Sequence, residues 1–187
     1  MTVLYCVSDH GYGHATRAIP IIAALPEVIV RTCFSAGIIQ RETTARVVEE
    51  ENDVGVLHEE GSYRIDREGT RRMVAAWMGK WEHDIGRLRQ LIRELGVTVV
   101  VSDSAPQAFL AARAERVPGL FLGSFTWLDI YDRLGILSGE ERALLMEAYG
   151  AAQAGIILPL ESPCAGIGRR HEVGLVVRQP RGVVEGM

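Results

Sequence analysis

Short β-branched apolar runs alternate along this chain with stretches whose apolar positions recur every three or four residues. Residues 2–8, 28–34 and 97–101 read as strands. The last is an almost unbroken run of valine, as expected for a parallel strand covered on both faces. Residues 54–57, Gly119–Gly123 and 155–158 read as three shorter strands. Helices are predicted from the glycine turn through residue 25, over 37–51, over 107–116 and near 139–152. Residues 70–95 carry a longer helical pattern, with Met73, Trp77, Trp81, Ile85, Leu88, Ile92 and Leu95 in one core-facing stripe. Gly96 stands where a C-terminal cap belongs, and the interior Gly79 and Gly86 mark places where that helix can break. This alternation predicts an α/β fold, a Rossmann-like doubly wound parallel sheet. At 187 residues, with neither repeats nor low-complexity segments, it is expected to be one domain over 1–187.

In open α/β sheets, ligands bind beyond the carboxyl ends of the strands. That rule selects the loops 8–14, 61–69, 102–107 and 124–129. Composition narrows the chemistry. The chain is 48% apolar and 24% charged, with net charge −4 and pI near 5.8, so nothing in its charge points to nucleic acid. The basic pairs Arg71-Arg72 and Arg169-Arg170 read as solvated surface. Cys6, Cys33 and Cys164 are scattered without a CxxC pair, which suggests neither a zinc site nor a disulfide framework. Cys6 and Cys33 lie in apolar runs and read as small core residues. No apolar run reaches the roughly 18 residues of a membrane span, and no basic leader opens the chain. A cytoplasmic location is expected.

Candidate chemistry concentrates in Ser8-Asp9-His10-Gly11-Tyr12-Gly13-His14-Ala15-Thr16-Arg17, where a strand, a glycine turn and a helix start meet at His14. Glycines allow close approach, the helix start offers unpaired N–H groups, and histidine takes a proton near neutrality. Read as a dinucleotide fingerprint, the turn has Thr16 in place of the third glycine, and the second strand ends without an acid. It contains no GK[ST] phosphate loop. His10 and His14 lack a third metal ligand nearby in sequence. Asp103 follows the valine strand and has two readings: orienter of the His14 ring, or cap of the next helix.

The segment Gly11-Tyr12-Gly13-His14-Ala15-Thr16-Arg17 resembles the first-loop motif of GT-B glycosyltransferases that use UDP-sugars. It is most like the glycosyltransferase-like N-terminal domain of plant L-arabinokinases and related bacterial and archaeal glycosyltransferases. Ser102-Asp103-Ser104-Ala105-Pro106 resembles that group's acid motif after a later strand. Ser124-Phe125-Thr126-Trp127 with Ile130-Tyr131 resembles its aromatic loop, and Gly174-Leu175-Val176-Val177-Arg178 the segment leaving the first domain.

The resemblance implies the acceptor-binding half of an inverting, metal-independent glycosyltransferase. A nucleotide-sugar is the donor substrate, with no other cofactor, and a sugar or other hydroxyl compound is the acceptor. It assigns His14 as general base and Asp103 as its orienter. Gly11, Gly13 and the helix-start amides face the donor, and Tyr12, Arg17 and Ser104 join the substrate-binding set. Phe125 and Trp127 are expected to stack on the acceptor, with Arg64 and Asp66 hydrogen-bonding its polar groups. Such enzymes hold the donor mainly in a second domain, in cis or as a separate subunit. Residues 172–187 are then expected to begin an interdomain linker. Two other readings share the crevice: a non-catalytic sugar or nucleotide-sugar binding domain, and half of a GT-B-fold nucleotide-sugar epimerase.

Overall fold

Stiff β-branched side chains pack well on a pleated surface, and they build the centre of the sheet. In chain order the elements are β1 (Val3–Cys6), α1 (Tyr12–Ala24), β2 (Val28–Arg31), α2 (Ala36–Glu42) and β3 (Arg46–Val48). Then come α3 (Arg67–Met78), α4 (Trp81–Glu94), β4 (Val99–Ser102), α5 (Gln107–Glu115) and β5 (Gly119–Gly123). The last are α6 (Trp127–Leu134), α7 (Gly139–Gly150), β6 (Ala154–Ile157) and β7 (Arg170–Glu172). This computed structural model describes residues 1–160 and 162–177.

All seven strands are parallel, in the order β3-β2-β1-β4-β5-β6-β7. The chain is therefore an α/β Rossmann-like fold, as the alternating pattern predicts. Side chains alternate across the sheet. Val3, Tyr5, Val7, Val28 and Val30 pack against Ala15, Ala18, Ile19 and Ile22 of α1 and Ile39 of α2. On the other face, Leu4, Cys6, Ile29 and Val100 meet Leu88 and Ile92 of α4 and the alanines of α5. Phe121 of β5 and Ile157 of β6 join a third cluster with Trp77, Trp81, Trp127, Tyr131 and Tyr149.

β1 and β4 are neighbours, yet the chain leaves β1 towards β2 and leaves β4 towards β5. Their following loops part, and a crevice opens over the carboxyl ends of the two strands.

Several boundaries differ from the sequence reading. The helix expected over 37–51 stops at Thr43, which is extended (φ −139°), and Arg46–Val48 pairs with β2 as the sheet edge. The strand expected at 54–57 does not join the sheet. Val54 and Val56 instead pack on the core, and the Leu57 N–H donates to the Thr70 hydroxyl. The long 70–95 helix is two helices, broken at Gly79-Lys80, while Gly86 stays within α4. Gly96 does take the left-handed turn that ends α4 (φ 60°). The short α6 and its capping box, Thr126 with Asp129, stand where a plain loop was expected. β7 carries no apolar pattern, and its three exposed residues pair in parallel with β6. Of the linker expected at 172–187, Glu172 closes β7 and residues 178–187 lie outside the described residues. Among the described residues no helix is long and apolar enough to cross a membrane.

Phe121 is fully buried where β5 meets the aromatic cluster. Phe121→Ala should lower unfolding free energy by about 3–5 kcal/mol in urea denaturation. A loss below about 1 kcal/mol would contradict this packing.

Candidate active site

The loop after β1 enters α1 through Gly11, whose φ of 82° and ψ of 160° suit glycine and strain any other residue. No side chain caps the start of α1, and Gly11, Tyr12 and Gly13 are exposed. A Cβ at either glycine would meet nothing within 4 Å. The first-turn amides and their partial positive charge therefore face open space.

His14, two residues into this helix, turns inward. Its Nδ1 lies 2.8 Å from Oδ2 of Asp103, and the two side chains are 9% and 1% exposed. The Arg17 guanidinium stands 3.3 Å from the same Nδ1 and 3.6 Å from Asp103 Oδ2. Nδ1 cannot both donate to Asp103 and accept from Arg17. We assign its proton to the Asp103 bond, because a buried carboxylate is the stronger acceptor. Nε2 then holds a lone pair, with no hydrogen-bond partner among the described residues. Burial alone would lower the His14 pKa, but the charge and hydrogen bond of Asp103 outweigh it and the net shift is upward. The ring is thus a stronger base than a free imidazole.

Asp103 is reached from β4, and its other oxygen accepts from the Ser8 N–H at 2.9 Å. Its loop presses close to β5: a Cβ on Gly123 would lie 2.8 Å from the Asp103 carbonyl oxygen. A side chain there would displace Asp103. Of the two readings of this aspartate, the structure shows the His14 bond and no side-chain cap on α5.

Beneath the pair lies a second buried carboxylate, Asp53, 4% exposed. It accepts from Ser8 Oγ (3.0 Å), the Asp9 N–H (2.8 Å), Ser104 Oγ (2.6 Å) and Trp127 Nε1 (2.8 Å). Ser104 Oγ also lies 3.2 Å from Asp103. Desolvation raises the Asp53 pKa, the hydrogen bonds from Ser104 and Trp127 oppose that, and the net is upward. Beside it, Asn52 donates to the carbonyls of Val7 and Arg31 and accepts from the buried Arg31 guanidinium. Tyr131 and Tyr149 donate to the carbonyls of Val54 and Ser104, so the aromatic core pins these loops from below.

The structure thus gathers Gly11, Tyr12, Gly13, His14, Arg17, Asp103 and Ser104 around one crevice. Phe125 joins them edge-on to His14, with ring centroids 5.6 Å apart. Trp127 is near but turned away from solvent: 2% exposed, stacked on Tyr131 and bonded to Asp53, it supports the site rather than offering a face. Asp66 caps α3 through the Gly69 N–H, and Arg64 is exposed on the turn around the His58–Ile65 bridge. Neither shares a hydrogen bond with His14 or Asp103. His10 packs edge-on against Trp127 rather than beside His14 as a ligand. Among the described residues no group of three or more His, Cys, Asp or Glu side chains is arranged to hold a metal ion.

Cys33, expected in the core, is exposed just past β2. Asp53 and Asn52 escaped the sequence reading because 37–51 looked helical and 54–57 looked like a strand. The available signal was a polar Asn-Asp pair just before the apolar Val54–Leu57 run, a few residues past Val47-Val48.

Two cavities open on this side of the sheet, of about 440 and 340 Å³, both lined by Glu51, Asp53, Val54 and Met73. A larger one of about 750 Å³ lies at the opposite end, where β2 and β3 begin, away from His14.

The fold is similar to part of several solved glycosyltransferase structures. MurG of Acinetobacter baumannii is 15% identical, with 96% of this chain covering 46% of that one at a TM-score of 0.56. The kitacinnamycin glycotransferase is 13% identical, covered over 99% and 53%, at 0.60. A UDP-glucosyltransferase from Polygonum tinctorium is 12% identical, covered over 96% and 53%, at 0.59. The chain spans about half the length of the structures it matches, and at these identities the likeness is one of fold. No protein-family model and no curated protein matches the chain.

Because the folded His14 pKa is raised, its pairing stabilises the fold fully below the ordinary value of 6.5 and fades as pH rises through the folded value. In Asp103→Asn, burial and the Arg17 cation remain and both lower the pKa, against the smaller raising effect of Asp53. NMR titration should then place the His14 midpoint below 6.5; an unmoved midpoint would contradict the pairing.

Proposed function

We propose that this chain is the acceptor-binding half of an inverting glycosyltransferase that uses a nucleotide-sugar donor and needs no metal ion. The observation that carries the reading is the buried His14–Asp103 pair beside an uncapped helix start, at the switch point of a glycosyltransferase-like fold. His14 Nε2 removes the proton from an acceptor hydroxyl as its oxygen attacks the anomeric carbon. The nucleoside diphosphate leaves from the opposite face, so the configuration inverts. Asp103 holds the ring tautomer and stabilises the imidazolium that forms. The α1 amides and Arg17 offset negative charge on the donor. The donor is gripped mainly by a second half, in the same polypeptide or as a separate subunit, in the cytoplasm. The ordered motifs around Gly11–Arg17, Asp103 and Phe125 support a relationship to the glycosyltransferase-like domain of L-arabinokinases.

A positioned base contributes roughly 10²–10⁴-fold to rate. In the complete transferase assembly, His14→Ala should lower kcat by at least about a hundredfold in a nucleotide-sugar transfer assay. Near wild-type turnover would refute the base.

A further inference from the structure

Resting on the acceptor-side reading, we propose that the 340 Å³ cavity is the acceptor pocket and takes a flat, uncharged ring that bears a hydroxyl group. Asp9, Cys33, Phe34, Glu51 and Asp53 are among the residues that line it. Its volume suits a compound of one or two rings.

The pocket has a built wall. Asp9 Oδ1 accepts from the Thr32 hydroxyl and from the N–H groups of Cys33 and Phe34, while Oδ2 accepts from Asn52. Those bonds fix the loop after β2 so that Phe34 stands 49% exposed beside Tyr12, 57% exposed, with ring centroids 4.8 Å apart. Large aromatic rings lose much when left in water, and a flat ring stacked on them recovers it. Tyr12 belongs to the same first turn of α1 as His14. Asp53, on the cavity wall, shares the Ser104 hydroxyl with Asp103. That hydroxyl ties the cavity wall to the dyad.

Charge sets the class of ring. Three carboxylates line the cavity, and neither lysine nor arginine does. Asp9 and Asp53 are committed to internal donors, whereas exposed Glu51 has no hydrogen bond or ion pair among the described residues. A carboxylated or phosphorylated ring would therefore meet repulsion with no cation to offset it. Arg31, Lys80 and Arg87 line the adjoining 440 Å³ cavity instead.

The test uses the 187-residue chain with 2-naphthol and its anionic analogue 6-hydroxy-2-naphthoate, following calorimetric affinity and alkylation of Cys33 by iodoacetamide. Cys33 is exposed while Cys6 and Cys164 are buried, so its modification reports on this cavity. 2-Naphthol should bind saturably and protect Cys33, the anionic analogue should bind at least about tenfold more weakly, and Phe34→Ala should weaken 2-naphthol about tenfold. Glu51→Gln should narrow the gap between the two probes. Equal affinities, no protection of Cys33, or an indifferent Phe34→Ala would overturn the pocket. Binding as expected without His14-dependent transfer in the complete assembly would defeat the transferase reading and leave the pocket standing.

Discussion

A carboxylate buried without a counter-cation persists only on hydrogen bonds, and Asp53 is the place where this protein meets that condition. Its four donors come from the segments that follow β1, β4 and β5. Satisfying one buried carboxyl group therefore fixes the relative positions of Ser8, Ser104 and Trp127. The dyad stands on two of those residues: the Ser8 N–H and the Ser104 hydroxyl both reach Asp103. His14 is held, at one remove, by a carboxylate it does not touch.

The crevice itself is a product of topology. Strand order reverses at β1 and β4, so the loops that follow must part, and His14 and Asp103 meet across the gap from residues 89 apart in sequence. The aromatic core beneath is not passive filling. Trp127, Tyr131 and Tyr149 point their polar atoms upward into the loops while their rings pack below, which joins hydrophobic burial to placement of the site. The uncapped start of α1 leaves donors unpaired, the converse arrangement to the capping boxes that close α6 and α7.

Much of this was legible in the sequence. The valine runs mark the central strands, and three of the four loops chosen by the strand-end rule meet at the candidate site. The Gly11–Arg17 segment marked His14, while the place of Asp103 after a buried strand left two readings, and only the family resemblance paired it with His14. What the sequence hid was tertiary. The edge strand β3 has only two valines to announce it, so 37–51 passed for a helix and concealed Asp53 beyond it. Trp127 looked like a stacking surface because burial of an indole depends on which core forms below it. Cys33 read as core because its apolar neighbours belong to β2, which ends two residues earlier at Arg31.

The claim at the centre of this account is that His14 takes the acceptor proton. The most direct test is the pH profile of kcat/KM in the complete assembly, set against the His14 titration followed by NMR in the same protein. A base must be unprotonated to act, so kcat/KM should rise as pH increases and level off above the His14 midpoint. A profile that stays flat while His14 titrates would show that the proton goes elsewhere.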